Sequence, residues 1–292
     1  MKFLLEIFLS GLINGGIYAL LAVGFSLIYG VAKIINLGHT AIYMVAAYMV
    51  YAFGRMMGLG FWPAAIMALA GGTLVAYVTY KLFVERIREH EVTVLLVTSS
   101  IATVLQEVMF IIFRGLFRGA PSAFDGFANI FGVSISYQHL FSLGLITVIV
   151  ALILFILYRT KQGLAIRVTA QDREIANLMG INVPRICLIA VIAASFLAAV
   201  AGVVVSPIYV LSPTMWTGPL VTAIAIVILG GLGSIKGSFI GAFMLAYAEV
   251  LVVHFIPGGT FLRDAVAMCV MLGVLLIRPE GLYGIAFEEE RL

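Results

Sequence analysis

The chain has 292 residues, of which 63% are hydrophobic and 11% charged, and its mean hydropathy is +1.16. Soluble domains hold about 45–50% apolar and about 25% charged residues, so this composition excludes a soluble globular fold and points to a polytopic membrane protein. The net charge of +3 sits in short polar stretches and gives no electrostatic footprint for nucleic acid.

A bilayer core of about 30 Å needs roughly 20 apolar residues as helix, whereas barrel strands are alternating segments of about ten. Apolar runs fall at about 7–30, 34–54, 60–80, 92–113, 139–158, 187–206, 219–234, 238–256 and 262–277. The expected fold is therefore all-α, a polytopic transmembrane helical bundle of eight to ten spans. It reads as a single transmembrane domain over 1–292, since no polar linker or low-complexity tract divides it. Twelve Lys and Arg fall in loops on one side of a nine-span arrangement, and five (Lys2, Arg55, Arg114, Arg118 and Arg263) on the other. Positive charge marks the cytoplasmic side. This places the island at about 159–186 and the C-terminus in the cytoplasm, and the segment 114–138 outside.

The first run is too long for a secretory leader and lacks a small-x-small cleavage site, so it is kept as a span. Gly11 and Gly15 within it suit close helix packing. Before the second run, INLGH (35–39) reads as a break between helical pieces, or as an ordinary cytoplasmic turn. Broken backbone in a membrane is tolerated where it lines a cavity, which makes Asn36 and His39 candidates for the translocation path. Glu107 in the fourth run and Glu249 in the eighth are ionisable groups in apolar sequence and join them. Interhelical hydrogen bonding is the competing reading for both. His254, beside Pro257, and Trp62, Trp216 and Tyr283 lie near span ends and are expected at the interface.

The island TAQDREIANLMGINVPR (169–185) follows the fifth run. Thr169 followed by Asp172 resembles a capping box, Gly180 suits the left-handed position past a helix, and Pro184 prevents continuation. These signals predict one short helix over about 170–179, with Ile175, Leu178 and Met179 on one face. So short a helix is marginal in water. The chain's own cytoplasmic surface, the lipid interface or a groove on a partner must take its apolar stripe.

Gly233, Gly237 and Gly241 fall four apart, a flat packing face if they share one helix, or a hinge. The nearby GGLGSIKGS has Ile235 where a phosphate-binding loop needs its second glycine before the lysine, so no cofactor is expected on this chain. Cys187 and Cys269 read as small hydrophobes, and no metal-ligand or catalytic pattern is present.

TKQGLAIRVTAQDREIANLMGINVPR resembles the cytoplasmic coupling loop of ATP-binding-cassette importer permeases. Together with GFSLIYGVAKIINLGH (24–39), VILGGLGSIKGSFIGA (227–242) and RPEGLYG (278–284), it resembles the branched-chain amino acid permeases of the LivH type over the whole chain. The loop has Gln171-Asp172-Arg173-Glu174 where many importers carry Glu-Ala-Ala, but keeps the Ala176-to-Gly180 spacing. The resemblance implies that Thr169, Asp172, Arg173, Glu174, Ala176 and Gly180 lie in the element that engages a nucleotide-binding subunit. It implies two ATP-binding subunits that use ATP and Mg, a second related permease, an extracytoplasmic solute-binding protein and a bacterial inner membrane. Branched-chain amino acids are the expected solutes, moved by alternating access. Urea, short amides or other amino acids are alternatives, as are a proton-coupled carrier using Glu107 and Glu249 and a non-transporting scaffold.

Overall fold

The computed structural model describes residues 2–130 and 133–283. The C-terminus, Arg291 and the last glycine of RPEGLYG lie outside the described residues. The chain folds as α1 (Lys2–Ala32), α2 (His39–Tyr51), α3 (Phe61–Thr79), α4 (Glu91–Phe113), β1 (Phe127–Ile130), β2 (Val133–Ser136), α5 (Tyr137–Arg159), α6 (Lys161–Gln171), α7 (Arg173–Leu178), α8 (Val183–Val205), α9 (Thr217–Gly230), α10 (Ile235–Phe255) and α11 (Arg263–Ile277).

Each of the nine apolar runs forms a helix. Among the described residues seven helices are long and apolar enough to cross a membrane alone. The other two are α9, with 14 residues, and α2, whose 13 residues continue into a five-residue π-helical turn, Ala52–Met56. α2 carries His39, Thr40, Tyr43, Tyr48 and Tyr51 because it never meets lipid within the bundle. It lies among α3, α4, α8 and α9 and buries every residue except Met49. Around this centre pack α1 and α8, while α11 buries Ala267 alone.

Small residues set the closest approaches. A Cβ on Gly11 would overlap the Tyr247 ring and one on Gly15 the Phe243 ring, so the α1–α10 contact depends on both glycines. Gly202 of α8 leaves the same kind of room for the Tyr43 carbonyl of α2.

The glycines at 233–241 do not share one helix face. Gly233 precedes α10 in a turn with φ +82°, facing Gly30 at the end of α1. Gly237 abuts Gly230, and Gly241 packs on Leu229 and Ile226. The turn that separates them from α9 is closed by Tyr283 N–H, which donates to the Gly230 carbonyl at 3.0 Å.

The segment 114–138 is not an unstructured loop, since β1 and β2 form an antiparallel hairpin in register Phe127↔Ser136. Arg118 and Leu211 exchange backbone hydrogen bonds of 3.1 and 2.8 Å, tying this segment to the α8–α9 connection.

Candidate functional site

The polar island at 159–186 is two helices, each with its own cap. Thr160 Oγ1 accepts from Gly163 N–H at 3.0 Å and starts α6. Asp172 is extended at φ −150°, and its carboxylate accepts from Ile175 N–H at 2.9 Å, starting α7. The single helix over 170–179 capped at Thr169 is therefore corrected. Thr169 is buried inside α6, where its hydroxyl donates to the Ala165 carbonyl at 2.8 Å. A threonine inside a helix satisfies itself on the i−4 carbonyl, whereas an extended Asp fits the cap.

The other end follows the expected pattern. Gly180 takes φ +80° and its N–H donates to Asn177, while Ile181 N–H donates to Ala176, each at 3.0 Å. These two bonds form a Schellman closure. Pro184 then lies in the first turn of α8, which is capped by Asn182 through Arg185 N–H at 3.0 Å.

α7 is fixed to the bundle by the face that carries its smallest and its longest side chains. Arg173 donates from Nε and Nη2 to the Val31 carbonyl at 3.1 and 3.0 Å, so its guanidinium caps the C-terminal end of α1. Ala176 is fully buried against the chain's own helices. Both residues thus face inward and fix the element to the chain's own helices. The same crowding depresses the pKa of Lys33, first through burial and then through the Arg173 charge.

The opposite face is bare, with Ile175 52%, Leu178 87% and Met179 70% exposed. Asp172 and Glu174 are exposed beside this stripe.

The interior candidates separate into two kinds. Asn36 and His39 do form a break: residues 33–36 are non-helical, and Asn36 Oδ1 accepts from Gly38 N–H at 3.0 Å. Leu37 N–H reaches Thr98 Oγ1 at 3.2 Å. His39 is buried, with Nε2 3.2 Å from the Leu21 carbonyl and Nδ1 unpartnered among the described residues. Glu249 is likewise buried and accepts from Tyr18 Oη at 2.7 Å, linking α10 to α1.

Glu107 differs. It is exposed on the outer side of α4, bonded only to its neighbour Gln106 at 3.2 Å, and does not line the interior of this chain. Trp216 is not an interfacial anchor either, because it is buried with its indole N–H on Gln106 Oε1 at 2.9 Å. Trp62 is exposed, and His254 ends α10 with Nδ1 2.8 Å from the Val250 carbonyl.

Two cavities open at opposite ends. The inner one, about 330 Å³, lies between α1, α6 and the start of α10. Arg167 and Lys236 both lie over the Tyr158 ring there, at 5.3 and 5.5 Å. The outer one, about 260 Å³, includes Tyr18, Tyr209 and the first two residues of α11, Arg263 and Asp264. These four carried no signal in the apolar pattern, although adjacent opposite charges at a span end were visible in the sequence. Among the described residues no group of three His, Cys, Asp or Glu is placed to hold a metal ion.

The profile of the family described as branched-chain amino acid transport system / permease component matches residues 7–277. The chain belongs to that family. It is a multi-pass membrane permease, a transport subunit and not an enzyme. It is 30% identical to the high-affinity branched-chain amino acid transport system permease protein LivH of Escherichia coli K12, over 97% of this chain and 96% of LivH. LivM, a permease protein of the same named system in the same organism, is 25% identical over 91% of this chain and 67% of LivM. Among solved structures, a chain of PsaBC from Streptococcus pneumoniae, in complex with Fab, shares the fold at a TM-score of 0.55. That match has 15% identity and covers 94% of this chain and 92% of the other.

Proposed function

We propose that this chain is a permease subunit of an ATP-driven importer for leucine, isoleucine and valine, in a bacterial inner membrane. The whole chain acts as one permease domain. Likeness to both LivH and LivM supports pairing with a second, related permease. Two ATP-binding subunits consume ATP and Mg on the cytoplasmic side, and an extracytoplasmic binding protein delivers the solute. The island at 159–186 and the C-terminus then face the cytoplasm.

The observation that carries this reading is α7. A helix of six residues, held by a cap, a Schellman closure and the Arg173 latch, presents with its C-cap Met179 three large apolar side chains that no described residue covers. An apolar stripe rimmed by carboxylates is what a groove on an ATP-binding subunit engages, with the charges setting register. When those subunits close on ATP, α7 moves with them and the bundle alternates its access.

The proton-coupled alternative loses one of its two carboxylates, since Glu107 is outside the bundle interior. Leu178→Asp with Met179→Asp tests the proposal. The doubly substituted permease should insert normally but fail to co-purify with the ATP-binding subunits, and leucine uptake should vanish. Retention of both would remove α7 from the coupling role.

A further inference from the structure

The outer cavity has a chemistry that the importer reading does not by itself specify. Arg263 and Asp264 are consecutive residues of α11, and both line it. Side chains at i and i+1 of a helix diverge and do not face one another. Among the described residues neither forms an ion pair. Arg263 Nε is buried without a hydrogen-bond partner. Arg263 is half-buried and Asp264 exposed, so the cost of an unpaired polar group falls on the buried edge of the guanidinium, and a ligand that binds there relieves it.

The neighbouring polar groups are already engaged with each other. Tyr18 Oη donates to Glu249 at 2.7 Å, and Tyr209 Oη donates to Asn14 Oδ1 at 3.0 Å. These bonds brace the α1 wall. Ile17, Leu21, Met215 and Pro219 give the wall an apolar part, and Tyr43 and Thr222 line the cavity as well. At about 260 Å³ the space is smaller than the roughly 300–1,000 Å³ of drug-sized sites, and suits a small metabolite.

We propose that this cavity is a subsite for a free α-amino acid on its way through the bundle. Arg263 takes the carboxylate, Asp264 takes the ammonium group, and the apolar wall takes the branched side chain. The inference rests on the importer reading and narrows it. A neutral solute such as urea or a short amide leaves both charges uncompensated, whereas a zwitterion neutralises both at once.

The test uses the complete transporter, with its partner permease, ATP-binding subunits and binding protein, in proteoliposomes. Uptake of leucine and the stimulation of ATP hydrolysis by loaded binding protein are both measured. The variants are Arg263→Gln, Asp264→Asn and Gly218→Leu. A Cβ on Gly218 meets nothing nearer than Asp264 Oδ1 at 3.9 Å, so the added side chain fills the cavity without striking backbone.

Each variant should lower leucine uptake by at least about tenfold while leaving stimulated hydrolysis intact, as expected when one partner of a charge contact with the solute is removed or its site is filled. Wild-type uptake of leucine with full rates in Arg263→Gln and Gly218→Leu overturns the subsite and leaves the importer reading standing. Loss of stimulated hydrolysis along with uptake overturns it too, by assigning these residues to binding-protein docking or assembly. A wild-type complex that moves no amino acid removes the importer reading and the subsite together.

Discussion

α2 and α11 are apolar helices of similar length, 13 and 15 residues, with opposite surroundings. α2 carries three tyrosines, a histidine and a threonine, yet all but one of its residues are buried. α11 carries mostly aliphatic side chains, and only Ala267 is buried. In water the more polar helix would lie outside. In a bilayer the lipid receives the aliphatic helix, and polar groups gather at the centre, where other helices and cavities accept their hydrogen bonds. Hydropathy along this chain therefore reports contact with lipid or a partner, and not depth in the fold.

Three substitutions sharpen that contrast, each read as thermal stability of the purified permease. Tyr48→Ala in α2 should have the largest effect. Tyr48 is fully buried with its ring 4.7 Å from that of Phe113, and emptying such a site costs about 3–5 kcal/mol. A loss below about 1 kcal/mol would mean that α2 is not the packed centre.

Arg173→Ala comes next. It removes two bonds to the Val31 carbonyl and should cost about 1–3 kcal/mol, with greater protease sensitivity in the island. Wild-type protection there would show that α7 does not depend on its latch.

Leu272→Ala in α11 should change stability least, by under about 0.5 kcal/mol, because its side chain is exposed. A loss approaching that of Tyr48→Ala would reveal that another subunit covers α11 in the purified state.

The helices were legible in the sequence because hydropathy alone selects segments that lipid can hold. The end of α7 was legible for a different reason, since Gly180 is one of few residues that accepts φ +80° without strain. Its start was not. Thr169 and Asp172 are both plausible caps in isolation, and only the packing of α6 against the bundle, which buries Thr169, decides between them. The inward set of Arg173 was hidden for the same reason, because its partner is a backbone carbonyl 142 residues away that leaves no mark in the local pattern.

Of the interior candidates, Glu249 is buried in this chain and Glu107 is exposed. Both sit in runs of similar hydropathy, and helix rotation separates them. The hairpin at 127–136 was missed because its strands have four residues each, too few for alternation to stand out. Arg263 reads from the sequence only as loop charge and Asp264 carries no signal there, because both line a cavity whose other walls come largely from α1 and α9.

The bonds from Arg173 end on α1, and α1 is a single unbroken helix of 31 residues. Tyr18 stands thirteen residues before Val31, about 20 Å along the same rod at 1.5 Å per residue. The Arg173 latch and the wall of the Tyr18 cavity are therefore two ends of one stiff strut. A pull on α7 must either snap its grip on Val31 or tug the far wall with it, and no chain of intermediary side chains is needed to deliver it.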